Sequence, residues 1–267
     1  MKSLPTLLFR HFLPLFFLCS FAEGARAQET ALITENHKMI ETDKLGNIYL
    51  VSDFEITKYS FSGRMLSRYS SKANGKIASL DVSNPLKLLV FYRDFSMVLF
   101  LDNMLNVQGD PIAFEMIGMA RVTQTCTGFD NSFWVYDSDV FEVKRLNSKL
   151  EISGRSGNLF TVLKKEIKPL SIQEYLNQLY LLGSDSTLYV FDAFGSYVKS
   201  WKMNSVGPLR VASPLVYQLG GESLFVFDTK SLNVSYRNLP VGGCNELAVN
   251  GESILWGNGQ QVFRISR

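Results

Sequence analysis

The stretch that decides the fold runs Asp43-Lys44-Leu45-Gly46-Asn47-Ile48-Tyr49-Leu50-Val51, breaks at a short polar segment, and resumes as Ile56-Thr57-Lys58-Tyr59-Ser60 before Phe61-Ser62-Gly63 and Met65-Leu66. Gly46-Asn47 and Ser62-Gly63 are turn chemistry, and the apolar and alternating runs between them are strand chemistry. The stretch reads as turn, apolar strand, hairpin, alternating strand, turn and outer strand.

The same order returns along the chain. Leu88 to Phe91 precede Met97 to Leu101 and a turn at Asp102; Phe133 to Tyr136 precede Val143 and Asn147-Ser148. Leu179 to Leu181 precede Leu188 to Phe191 and Asp192; Leu215 to Tyr217 precede Leu224 to Phe227 and Asp228; Ile254 to Trp256 precede Val262 to Ile265. Measured between Ile56, Met97, Val143, Leu188, Leu224 and Val262, the intervals are 41, 46, 45, 36 and 38 residues, the length of a four-stranded propeller blade. Six units fill the chain from residue 28 onward. The last stops after Ile265 without an outermost strand, while Thr30 to Thr34 stand before the first unit as a spare short strand. The expected fold is therefore all-β: a six-bladed β-propeller closed by the N-terminal strand, which would cover a sheet edge of unpaired backbone groups.

A two-sheet sandwich also accommodates many short strands, but period and count favour the ring. An outer-membrane barrel needs strands alternating over about ten residues, whereas Leu88 to Phe91 and Met97 to Leu101 are nearly continuous apolar runs. Val162 to Gln178 departs from the strand pattern. With Pro169 followed by Ile172, Tyr175 and Leu176 at helical spacing, it reads as an insertion before the fourth unit.

Asp43, Gly46, Asn47, Ile48 and Tyr49, with Ile56, Lys58, Tyr59, Ser60 and Gly63, resemble one repeat of the NHL-type six-bladed propellers. Such propellers occur in many exported bacterial proteins, including uncharacterised ones of the Bacteroidota. The likeness covers one unit, residues 43–66; units two, three, five and six lack the Gly-Asn pair. Members of that family include binding scaffolds, lyases and hydrolases, so the resemblance implies a fold far more than an activity.

The N-terminus has the three parts of a secretory signal: Lys2, Arg10 and His11, an apolar run Phe12 to Phe21, and Ala25-Arg26-Ala27 as a small-x-small cleavage site. The run is too short for a bilayer-crossing helix, which needs about 20 apolar residues. The expectation is a signal peptide over 1–27, a single propeller domain over 28–267, a periplasmic or secreted location, and no integral membrane segment after cleavage. Cleavage removes Lys2, Arg10, Arg26 and Glu23 from 27 basic and 25 acidic residues, leaving 24 of each. A neutral chain without a basic stripe lacks the means to release counterions from phosphates, so nucleic acid is set aside.

Chemistry is sparse. After cleavage one histidine remains, His37, which rules out a His-His zinc site and reads as a surface or turn residue. Ser153-Gly154-Arg155-Ser156-Gly157 lacks the spacing and lysine of a phosphate loop. Cys126 and Cys244 fall in opposite units and are expected as two unbridged, buried thiols.

The loops joining second and third strands share one face of a propeller. They carry Asp53 and Glu55; Arg93 and Asp94; Asp137 and Asp139; Asp185; Glu222; and Asn258. Asp53, Asp94 and Asp185 each precede their strand by three residues, and Phe54 and Phe95 follow two of them. Aspartate is a preferred hairpin residue, yet seven carboxylates against one arginine could also form a rim for a divalent cation or a basic partner. Exposed, the phenylalanines would offer a protein or sugar contact surface; buried, they fill between sheets. Asp102, Asp192 and Asp228 lie on the other face and read as turn formers. No residue is nominated as catalytic, and no cofactor is expected. The reading is a non-catalytic exported scaffold with a protein partner in the cell envelope. The alternative is a calcium-dependent hydrolase or lyase built on Asp53, Asp94, Asp137, Asp185 and Asn258.

Overall fold

A computed structural model describes residues 30–220, 223–239 and 243–267; the expected signal peptide lies outside the described residues. The chain is a six-bladed β-propeller. Blade I holds β2 (Met39–Thr42), β3 (Ile48–Val51), β4 (Glu55–Tyr59) and β5 (Met65–Ser70). Blade II holds β6 (Ser79–Asp81), β7 (Leu88–Tyr92), β8 (Met97–Leu101) and β9 (Val107–Ala113); blade III, β10 (Val122–Thr127), β11 (Phe133–Asp137), β12 (Glu142–Leu146) and β13 (Ile152–Asn158). Blade IV follows with β14 (Pro169–Tyr175), β15 (Gln178–Gly183), β16 (Thr187–Phe191) and β17 (Tyr197–Lys202); blade V with β18 (Leu209–Ala212), β19 (Leu215–Gly220), β20 (Ser223–Asp228) and β21 (Val234–Asn238). Blade VI supplies β22 (Glu246–Val249), β23 (Ser253–Gly257) and β24 (Gln261–Ser266) from the C-terminus, and its fourth strand is β1 (Ile33–Thr34), pairing Ile33 with Val262 and Thr34 with Gln261.

Within each blade the strands run antiparallel from the channel outward. Turns between first and second, and between third and fourth, strands therefore fall on one face, called the front. Turns between second and third strands, and the blade-to-blade connections, fall on the rear.

The continuous apolar runs follow from burial on both sides. Leu88, Val90 and Tyr92 of β7 pack with Tyr49, Val51 and Ile56 of blade I, while the intervening Leu89 and Phe91 pack with Val122, Phe133 and Val135 of blade III. Period-2 alternation is kept, but both sets meet a neighbouring sheet instead of water. Each of the six gaps between blades holds one such cluster, and the blade VI–blade I gap is filled by Ile40, Ile48, Leu50, Ala248, Leu255 and Val262. Each fully buried Leu or Ile contributes about 1.5–3 kcal/mol, so the seams carry most of the stability.

Turn chemistry matches the sequence reading on the front face. The carboxylates of Asp102, Asp192 and Asp228 accept backbone N–H groups two to four residues ahead, at 2.8–3.2 Å. In blade I, Asp43 is buried and accepts from the N–H groups of Leu45 and Asn47, the Asn47 amide and the Tyr49 hydroxyl.

Two expectations need correction. The segment before the fourth unit is no helical insertion: after the one-turn helix α1 (Leu159–Leu163), Pro169–Tyr175 forms the inner strand of blade IV. The spacing of Ile172, Tyr175 and Leu176 arises because Leu176 and Asn177, at φ 50° and 60°, make a tight hairpin immediately after the strand. His37 is buried, not a surface residue. Its ring Nδ1 lies 2.6 Å from the Glu35 carbonyl, and Nε2 lies 3.9 Å from Glu246 Oε2 across the blade VI–blade I seam.

Candidate functional site

Two regions hold the chemistry: the central channel, opening at the front, and the rear face on which the sequence places the acidic loops.

The channel cavity measures about 1090 Å³ and is walled by all six inner strands. One ion pair crosses it. Arg210 on β18 donates to Glu41 on β2, so blades V and I are joined past blade VI, and Arg210 also donates to the Leu209 carbonyl at 3.0 Å. Glu41 is enclosed by the ring, with its side chain 18 % exposed. Burial pushes its carboxyl up to about 7; Arg210 opposes the rise, and Asp81 on β6 adds to it.

Three further polar side chains of the wall reach neighbouring blades. Gln173 exchanges two hydrogen bonds with the Val211 backbone, at 3.0 Å each. Asp81 accepts from Thr127 N–H at 2.8 Å, and Glu174 accepts from Phe129 N–H at 2.8 Å and Trp134 Nε1 at 2.5 Å. These are blade-to-blade ties. None of Glu41, Arg210 and Gln173 was singled out in the sequence, because nothing in a short inner strand marks which residue faces the channel.

On the rear face the carboxylates have local partners. Asp53 is paired with Lys38 and, at 3.4 Å, with Lys76, and the Lys38 hydrogen bond foremost holds its carboxyl below the usual range. Asp139 pairs with Arg121, and Asp137, buried, with Lys144 at 2.6 Å. Partial burial would raise Asp185, but hydrogen bonds from Lys165, Tyr189 and Thr187 prevail and hold it at about 2. Lys38, Lys76, Arg121 and Lys165 come from the blade-to-blade connections, which share the rear face with the hairpin loops. Counting the hairpins alone therefore overstated the acidity of that face.

The remaining sequence candidates are scattered. Asp94 is exposed in the turn Arg93–Phe95, Arg93 donates to the Thr123 carbonyl at 3.1 Å, and Asn258 accepts from its own turn N–H groups. Glu222 lies outside the described residues. Among the described residues, no group of three or more His, Cys, Asp or Glu side chains could hold a metal ion. Cys126 and Cys244 are not bridged; Cys126 is buried, but Cys244 is half-buried rather than fully so.

Apolar side chains make the more distinctive rear feature. Phe54 is half-buried under Lys72, whereas Phe95 is 59 % exposed and does not fill a gap between sheets. Nearby Met116, 87 % exposed, stands on the one-turn helix Phe114–Ile117, which is tied to the Phe95 turn by Phe114 N–H to Ser96 O at 3.0 Å. On blade III, α1 docks on the β11–β12 loop through Leu159 N–H to Phe141 O at 2.8 Å and Asn158 Nδ2 to Val140 O at 3.0 Å. Between them Phe141 and Phe160, both exposed, line a cleft of about 300 Å³ with Leu159 and Ile167. Phe141 holds this position at φ 56°, a left-handed conformation that costs a bulky residue of order 1 kcal/mol or more.

No family model matches the chain, and no curated protein matches it in sequence. Solved structures match it in shape. A streptogramin B lyase gives a TM-score of 0.59 at 10 % identity, covering 90 % of this chain and 85 % of that one. The Pan2 WD40 domain of Neurospora crassa gives 0.59 at 9 %, covering 86 % and 78 %. Virginiamycin B lyase from Staphylococcus aureus gives 0.57 at 11 %, covering 89 % and 87 %. At such identities the likeness carries the propeller fold alone, and the fold serves lyases and WD40 domains alike.

Proposed function

We propose that this chain is a non-catalytic β-propeller scaffold, exported on its N-terminal segment, that engages a protein partner of the cell envelope through its rear face. The observation that carries the reading is the rear ledge of Phe95, Met116, Phe141 and Phe160, held in solvent by short turns, one of them strained. Large apolar residues grouped at loop tips gain nothing for folding and are the usual anchors of a protein interface. Asp139, close to Phe141, is already paired with Arg121, and the apolar tips supply the contact area. The channel supports the same reading, since Arg210, Glu41, Asp81 and Glu174 in its wall tie blades together. In this proposal β1 also closes the ring against β24.

The test is capture. The tagged chain and its Phe141→Ser/Phe160→Ser variant are each incubated with solubilised envelope proteins, and retained proteins are quantified. The proposal expects a defined partner held by the first and lost at least ten-fold from the second, with both proteins melting alike. Equal retention by both would remove the rear ledge as the docking site.

A further inference from the structure

Around the front mouth of the channel, four consecutive blades each hold one large apolar side chain out into solvent at the turn after their inner strand. They are Leu45, 68 % exposed, Leu86 at 67 %, Phe129 at 57 % and Leu176 at 74 %. Leu176 does so at φ 50°, where a side chain meets its own backbone and glycine or asparagine would be easier. Beside two of these residues stand opposite charges: Lys44 next to Leu45 on blade I, and Asp130 next to Phe129 on blade III. Both are exposed, and neither has a hydrogen bond or ion pair with any described residue.

We infer that the front face is where two copies of this chain meet, related by a twofold axis that runs parallel to the plane of the ring, between the two front faces, and passes over blades II and V. Such a rotation exchanges blades I and III. It sets Lys44 of each copy opposite Asp130 of the other, Leu45 opposite Phe129, and Leu86 against its own counterpart on the axis. An isologous contact requires this self-complementarity, with residue i meeting j and j meeting i. A different partner would not call for matched apolar-plus-charge pairs of opposite sign at symmetry-related places.

Two further observations agree. The exposed apolar side chains of this face, with Phe61, Met104, Phe194 and Leu232 at the outer turns, stand on five of the six blades, spread widely enough for the roughly 800 Å² that a stable interface takes from each partner. The chain from residue 28 carries 24 basic and 24 acidic residues, so no net repulsion opposes association of two copies.

The inference is independent of the rear-face proposal, because the two surfaces lie on opposite sides of the ring. Its test is sedimentation of residues 28–267 up to about 100 µM, with a charge exchange. The expected result is a dimer. Lys44→Asp and Asp130→Lys should each weaken it roughly five-fold, since each puts like charges at both symmetry-related contacts, and together they should restore it to within about two-fold. Leu86→Asp should give a monomer with an unchanged melt, and Phe160→Ser should leave the dimer intact. A wild-type monomer at the highest concentration would overturn the inference, whether or not another protein binds the front face. So would a double exchange no stronger than the single ones.

Discussion

Arg210 of blade V donates to Glu41 of blade I across the mouth of blade VI, so a charged pair braces two blades that are not neighbours in the ring. Removing one partner from such a site leaves the other without compensation, at a cost of about 3–5 kcal/mol. Arg210→Met is expected to destabilise by about 3 kcal/mol, and adding Glu41→Gln to recover more than half of it, read by urea unfolding. Additive losses would show that the two side chains act separately.

Glu41 also sets a pH dependence. Burial raises its carboxyl from 4.5 to about 7 in the folded chain, and Glu246, also through burial, to about 6. These two carboxyls then bind more protons in the folded than in the unfolded chain between about pH 4.5 and 7, so their contribution falls as pH rises through that window, while His37, lowered by burial, works in the opposite sense below its ordinary value. Asp185, held at about 2, also acts in the opposite sense: its contribution is present above its unfolded value near 4 and is lost as pH falls toward 2. Across pH 4 to 8 the wild-type melt should decline relative to that of Glu41→Gln. Parallel profiles for the two proteins would contradict the assignment.

The N-terminal strand is short, but Ile33 belongs to the blade VI–blade I core and His37 is buried in the same seam. Deleting residues 28–36 should expose the edge of β24 and lower Tm by about 10 °C or more, given roughly 2–4 °C per kcal/mol for a chain of this size. An unchanged melt would remove β1 as the closing element.

Gly195, at φ 91°, lies where an added Cβ would come within 2.5 Å of the Arg155 carbonyl carbon, and Arg155 N–H donates to Phe194 O beside it. Backbone cannot yield as a side-chain tip does. Gly195→Ala should cost about 2 kcal/mol or more through strain and loss of this blade III–blade IV contact, measurable by chemical denaturation. A loss within 0.5 kcal/mol, the range of an ordinary surface change, would refute the close approach.

For calcium, the expected result is no change in Tm between EDTA and millimolar calcium, because Asp53, Asp139 and Asp185 already hold Lys38, Arg121 and Lys165. A ligand that binds only the folded state raises stability as its concentration exceeds its dissociation constant. A clear rise would return the calcium-dependent hydrolase or lyase to consideration.

Blade number and strand order were legible in the sequence, because each second strand is a dense apolar run at a regular interval and each front turn carries an aspartate, asparagine or serine. The inner strands were not. They are short, their residues are shared between two seams and the channel, and in Pro169–Tyr175 the pattern mimics a helix. The charge of the rear hairpins was misjudged, because Lys38, Lys76, Arg121 and Lys165, which offset it, stand in the connections between repeats. Phe141 and Phe160 gave no signal, since exposure of an aromatic residue depends on how α1 settles against a hairpin eighteen residues away.

The most direct test of the scaffold reading is a photo-crosslinking residue placed at Phe160 in the living cell, with one at Val198 on the exposed outer strand of blade IV as control. The account predicts a discrete protein adduct from position 160 that is absent from position 198. No adduct at either position, or the same diffuse pattern at both, would contradict it.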